Sequence, residues 1–147
     1  MGEPNTEAAF MLDRWDLAKP EIIDDVSAGE EVVVVDTNNL AELPASINEA
    51  TVIEVIDHHL LQGGLATKAP LNITIRPVAC TATIMHDLMG ADAEDMPQNI
   101  KGAMLSCILS DTLEFRSPTT THVDKALAEK LAEDLGVSIP DYAAEMF

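Results

Sequence analysis

Thr51-Val52-Ile53-Glu54-Val55-Ile56-Asp57-His58-His59 is the stretch on which the reading of this chain turns. Its first six residues are mostly β-branched and apolar, the composition of a buried strand. Three polar side chains able to bind metal then follow at once. They suit poorly the packing of a core. They suit well the carboxyl edge of a parallel sheet, where open α/β folds keep their ligands. A second run, Val32-Val33-Val34-Val35, ends in Asp36 in the same manner. Side chains alternate along a strand, so adjacent His58 and His59 are expected to point apart, one to a metal and one to substrate or a partner.

Working outward, Asn5 is placed to cap a helix through Leu17, with Pro20 beyond its end. Leu40 to Glu42 reads as one helical turn. The stretch around Gly63-Gly64 reads as a loop, and Asn72 to Arg76 as a third, shorter strand. Thr81 is placed to cap a helix reaching Leu88 or Met89, stopped by Gly90. Another helix follows Pro97, with Ile100, Ala103, Met104, Cys107 and Ile108 on one face, and closes at Ser110-Asp111-Thr112. Thr121 and Asp124 form a capping-box pattern for a last helix, with Leu127, Leu131 and Leu135 as its stripe and Gly136 as its stop. Strands followed by helices predict an α/β fold with a parallel sheet and flanking helices, Asp36 and Asp57 falling at one edge.

The chain has 147 residues, a length that suits one domain. Its 26 acidic residues outnumber 8 basic ones, for a formal net charge of -18. Such a balance argues against a broad face for nucleic acid. A small anionic substrate then requires something cationic at the site, such as a metal. No apolar run approaches the ~18 residues that span a bilayer. The N-terminus lacks the pattern of a signal peptide. Cys80 and Cys107 do not make a disulfide framework, and both sit in apolar helical contexts that predict buried free thiols. A reducing cytoplasm is the expected compartment.

Carboxylates and imidazoles together suit Mn²⁺, Co²⁺ or Zn²⁺. The candidates are Asp36, Asp57, His58, His59 and Asp111, with no Cys near them in sequence. Asp57 is suited to orient a histidine through its second ring nitrogen. Each residue also has a plainer reading: Asp36 as a turn residue, either histidine as a structural one, Asp111 as part of a C-terminal turn.

Four segments occur in order: Val32 to Asp36, Glu54 to His59, Cys80-Thr81-Ala82-Thr83-Ile84, and Ser110-Asp111-Thr112-Leu113-Glu114-Phe115-Arg116-Ser117-Pro118-Thr119. In this the chain resembles the manganese-dependent (family II) inorganic pyrophosphatases of the DHH phosphoesterase superfamily. The Asp-His-His triplet marks the superfamily, and the segment around Asp111 the pyrophosphatase branch. The resemblance runs from Gly2-Glu3-Pro4-Asn5 to the C-terminus. It implies a Rossmann-like DHH domain with a binuclear centre that hydrolyses pyrophosphate, loaded with Mn²⁺ (Co²⁺ or Mg²⁺ as alternatives). By the same resemblance Asp36 bridges the metals, His58 and Asp111 bind the second, and the catalytic His59 faces the phosphate. A homodimer is the expected assembly.

The sequence departs from that family in three ways. It has no His-x-Asp-x-Asp motif, which in the family lies on the first, metal-binding strand. The Lys/Arg-rich C-terminal substrate-binding domain of the family is expected to be absent. Thr37 stands where the family often has His. Residues 1–147 thus read as a partial DHH domain, expected to be weakly active or inactive alone and prone to self-association through exposed sheet. Two other readings are open. One is a DHH-family phosphodiesterase for short oligonucleotides or cyclic dinucleotides, disfavoured by the scarcity of aromatic residues. The other is a non-catalytic metal-binding or dimerisation module. No nucleophile-elbow pattern supports a serine hydrolase.

Overall fold

Three strands lie in one parallel sheet in the order β1-β2-β3: β1 Glu31–Val35, β2 Thr51–Asp57 and β3 Asn72–Ile75. The structure is a computed structural model, and it describes residues 2–147. Five α-helices complete the α/β fold: α1 Thr6–Arg14, α2 Thr81–Met89, α3 Gln98–Thr112, α4 His122–Leu135 and α5 Ile139–Met146. The contacts divide the described chain into two compact units. One comprises residues 2, 3 and 21–77, the other residues 4–20 and 78–147.

The first unit holds the sheet. Val34 of β1 pairs with Val55 of β2, and Val35 with Ile56. Val34, Val52 and Val55 turn to a core completed by Val26, Ile47 and Ala50. Val33, Val35, Ile53 and Ile73 are exposed. The parallel order is as expected, but no α-helix lies between the strands. Residues 36–50 carry only two 3-10 turns, and residues 58–71 form a loop. Each still exceeds the minimum of about a dozen residues that a parallel crossover needs.

The second unit packs helices around Leu105, Ile108, Leu109, Ala128, Leu131 and Tyr142. Asn5 caps α1 as expected, accepting the Ala8 N–H at 2.8 Å. The helix ends at Arg14, short of Leu17. Asp16 takes a positive φ of 51° there, and the Leu17 N–H closes back on the Leu12 carbonyl, a Schellman ending without glycine. Cys80, not Thr81, occupies the cap position of α2. Thr81 is the first helical residue, and its buried hydroxyl is one of two such side-chain atoms without a partner among the described residues. On α3 the buried face runs through Gly102, Met104, Leu105, Ser106, Ile108, Leu109 and Thr112. Ile100 and Cys107 are exposed, so the stripe expected from the sequence is rotated, and only Cys80 is a buried thiol. The Thr121–Asp124 capping box and the Gly136 stop of α4 are both present.

Helix α5 is not among the expected elements, although Ile139, Tyr142, Ala143 and Met146 keep helical spacing behind a Ser138 cap. Its Tyr142 accepts a hydrogen bond from the Trp15 indole at 2.7 Å and meets Ser106 Oγ at 2.7 Å. The indole lies on Gly102, where a Cβ would come 2.1 Å from Trp15 Cε2. Glycine inside a helix ordinarily costs about 1 kcal/mol against alanine. Here the close approach reverses the sign. Gly102→Ala is expected to lower stability by about 2 kcal/mol, within the usual range for overpacking. Thermal unfolding followed by circular dichroism checks it; a higher melting temperature would mean that the indole moves aside freely.

Candidate metal centre

Parallel pairing brings the ends of β1 and β2 level, and the Asp36 N–H continues the ladder by donating to the Ile56 carbonyl at 2.9 Å. Asp36 then adopts a φ of 66°, a left-handed conformation in which Asp is among the more tolerant residues. The turn leaves its carboxylate at the sheet edge, 61% exposed, with Oδ1 3.6 Å from His58 Nε2. One ligand atom from each of Asp36, His58 and His59 lies within 4.8 Å of the others.

Both histidines therefore serve one place, against the expectation that they point apart. Strand alternation ends with β2 at Asp57, so it does not govern the residues that follow. Their rings sit 4.1 Å apart between centroids, tilted by 53°. What organises them is Asp57, which is completely buried. Its Oδ1 accepts the N–H groups of His58 at 2.7 Å and His59 at 3.1 Å, and it lies 2.7 Å from His59 Nδ1. This leaves His59 Nε2 as the nitrogen free for the cluster.

Burial by itself pushes the Asp57 pKa up. The hydrogen bonds from the Asn38 and His59 side chains and from the two backbone N–H groups outweigh it, so Asp57 stays below its ordinary value. His59 is shifted up, chiefly by its bond to Asp57, against burial and with help from the charges of Asp57, Asp36 and Glu42. Asn38 is not among the candidates that the sequence offers. The asparagine after Asp36-Thr37 carries no sign in sequence that its amide reaches the Asp57 carboxylate.

Asp111 lies in the second unit, exposed in the last turn of α3. Its carboxylate is hydrogen-bonded to the Cys80 thiol, a contact that sequence separation conceals. Burial, and then the charge of Asp111, push that thiol far above its ordinary pKa. It is a donor to Asp111, neither a thiolate ligand nor a nucleophile. Leu113, Glu114 and Phe115 follow with φ of 49°, 53° and 66°. Such a left-handed run of non-glycine residues costs about 1–2 kcal/mol per residue. The Glu114 N–H to Leu109 carbonyl bond at 2.9 Å and the Ser117 N–H to Thr112 carbonyl bond at 2.8 Å hold it.

The N-terminal domain model of the DHH family matches residues 4–110. The chain belongs to the DHH family. Within that family it is similar to proteins assigned as manganese-dependent inorganic pyrophosphatases. It is 40% identical over 146 residues to one from Oceanobacillus iheyensis, covering 99% of this chain and 47% of the relative. Relatives from Shouchella clausii and Listeria innocua are 37% and 39% identical over 147 residues, with the same coverage. A crystal structure from Methanococcus jannaschii, assigned as a family II inorganic pyrophosphatase, superposes with a TM-score of 0.88 at 35% identity. The match covers 99% of this chain and 50% of that one. The chain thus spans about half the length of the curated relatives it matches.

Proposed function

We propose that this DHH-family chain supplies the metal-binding side of a manganese-dependent centre that hydrolyses inorganic pyrophosphate. The observation that carries the reading is the convergence of Asp36, His58 and His59 within 4.8 Å at the carboxyl edge of β1 and β2. A carboxylate with an imidazole nitrogen is a donor pair that fits Mn²⁺ and its borderline neighbours, with water completing the shell. Asp36 and His58 would hold the ion. Bound Mn²⁺ neutralises phosphate charge and lowers the pKa of water. The protein's own part is to orient donors and to hold protons. Asp57 fixes the His59 ring and keeps a proton on Nδ1, which directs Nε2 at the space beside Asp36 and His58. There His59 can contact a phosphate oxygen and, when protonated, donate to a leaving phosphate.

The net charge of -18 makes the metal a condition for binding an anion. Equilibrium dialysis of the full chain with labelled pyrophosphate tests this. Pyrophosphate is expected to be retained with Mn²⁺, at least about tenfold less with a chelator, a difference of roughly 1.4 kcal/mol, and a labelled cyclic dinucleotide not to be retained. Equal retention with Mn²⁺ and with chelator, or preference for the dinucleotide, would overturn the reading.

A further inference from the structure

The Asp57 carboxylate is divided between two tasks. Its Oδ1 serves the His58 and His59 N–H groups and the His59 ring. Its Oδ2 receives the Asn38 amide, Nδ2 donating at 2.6 Å. Asn38 is itself only 6% exposed. The second Nδ2 proton goes to the Leu60 carbonyl at 3.0 Å, and Oδ1 accepts the Gln62 N–H at 2.7 Å. One side chain thus ties the segment after β1 to the carboxylate ending β2 and to both ends of Leu60–Gln62. Two donors and one acceptor, fixed in one plane, are what an asparagine offers and an aspartate does not. A carboxylate at position 38 would meet Asp57 without a proton between them, and a smaller apolar residue would leave Oδ2 buried and unpaired.

We propose that Asn38 is a positioning residue for this centre: it locks the rotation of the Asp57 carboxylate and through it sets the tautomer and orientation of His59. With Asn38 in place, Oδ1 stays on His59 Nδ1 and Nε2 stays available to the cluster. Without it, the carboxylate can turn, and the neutral His59 ring returns toward the Nε2–H form that free imidazoles of histidine favour. The proposal rests on the metal-centre reading only for its consequence in catalysis. The lock itself is a property of the metal-free chain.

The test is a long-range ¹H–¹⁵N correlation of His59 in the full chain, freed of metal by chelation, at about pH 9, where a histidine ring is neutral. In the wild type the Nδ1–H tautomer is expected to dominate. In Asn38→Ala and Asn38→Asp its share is expected to fall by at least about threefold, with Nε2–H rising. Asn38→Ser, which keeps one donor, is expected to restore part of it, something a general loss of packing would not do. An unchanged tautomer ratio in a folded Ala or Asp variant overturns the proposal. The wild type supplies a reading that needs no variant. The Asn38 side-chain protons must appear as a resolved pair, protected from solvent exchange, and their absence would overturn the lock as well. Failure of pyrophosphate binding would leave every one of these readings unaffected.

Discussion

Asp124→Ala is expected to unfold on the order of 10 °C below the wild-type chain at neutral pH. Asp124 is completely buried, and its carboxylate is fully used. Oδ1 accepts the Thr83 hydroxyl at 2.7 Å; Oδ2 accepts the Ala79 N–H at 3.0 Å, the Thr121 N–H at 3.0 Å and the Thr121 hydroxyl at 2.5 Å. Thr121 Oγ1 in turn accepts the Asp124 N–H. What reads in sequence as a helix cap is therefore also a clamp on the start of α2. Alanine would leave the buried Ala79 N–H and the half-buried Thr121 N–H without an acceptor, at about 1–3 kcal/mol each. A total of about 3–4 kcal/mol, at about 2–4 °C per kcal/mol for chains near this size, gives the expected shift. Removing one buried carboxylate without replacing its hydrogen bonds is among the few mechanisms that produce changes this large.

The pH dependence has a definite sign. Burial raises the Asp124 pKa, but the bonds from Thr121, Thr83, Ala79 and the Thr121 backbone prevail, leaving the folded-state value below the ordinary 3.8. The stability contributed by the ionised form is therefore complete above the unfolded-state pKa and is lost as pH falls through the folded value. The gap between wild type and Asp124→Ala should be full at neutral pH and narrow below about pH 4. Urea unfolding at several pH values checks both statements. A gap that widens on acidification would show that the carboxylate is not the source of the effect.

Asp124 also shows where the sequence is legible and where it stops. Thr121 and Asp124 lie three residues apart, so the capping box can be read from spacing alone. The Ala79 and Thr83 bonds span 45 and 41 residues, and nothing local encodes them. The metal centre divides in the same way. Asp36 and Asp57 share an edge because two apolar runs end in acids and the strands are parallel, both visible in the residue order. Asn38 reaches Asp57 only after the residues following β1 fold back toward it. His58 and His59 share a direction for a local reason: alternation ends with the strand at Asp57, just before them. Helix α5 does carry a signal, with Ile139, Tyr142, Ala143 and Met146 at helical spacing, but it is only eight residues long and lies past the Gly136 stop. The apolar residues of α3 spread around much of its circumference, so spacing does not single out the buried face, and Cys107 lies outside it.

Asp36→Asn is expected to lower Mn²⁺ affinity by at least about 100-fold while leaving the melting temperature of the metal-free chain unchanged. The two outcomes separate binding from folding. Asparagine tolerates the left-handed conformation that Asp36 adopts, and the side chain is 61% exposed, so the substitution disturbs neither backbone nor core. It does remove the only carboxylate of the Asp36, His58 and His59 cluster. Two unit charges about 4 Å apart interact by about 4 kcal/mol near a protein surface, and the ion carries two. Even a partner hydrogen-bonded behind a metal ligand is worth about 10–100-fold in affinity, which sets a floor for the ligand itself. Linkage provides an independent reading. An ion that binds only the folded chain stabilises it by about 2.7 kcal/mol at a hundredfold excess over the dissociation constant. Wild-type protein should therefore melt several degrees higher with Mn²⁺ present, and Asp36→Asn should not respond at the same concentration. If calorimetric titration showed the variant binding Mn²⁺ within about threefold of wild type, a difference of roughly 0.7 kcal/mol, Asp36 would not be a ligand. The sheet edge would then owe its histidines to another task.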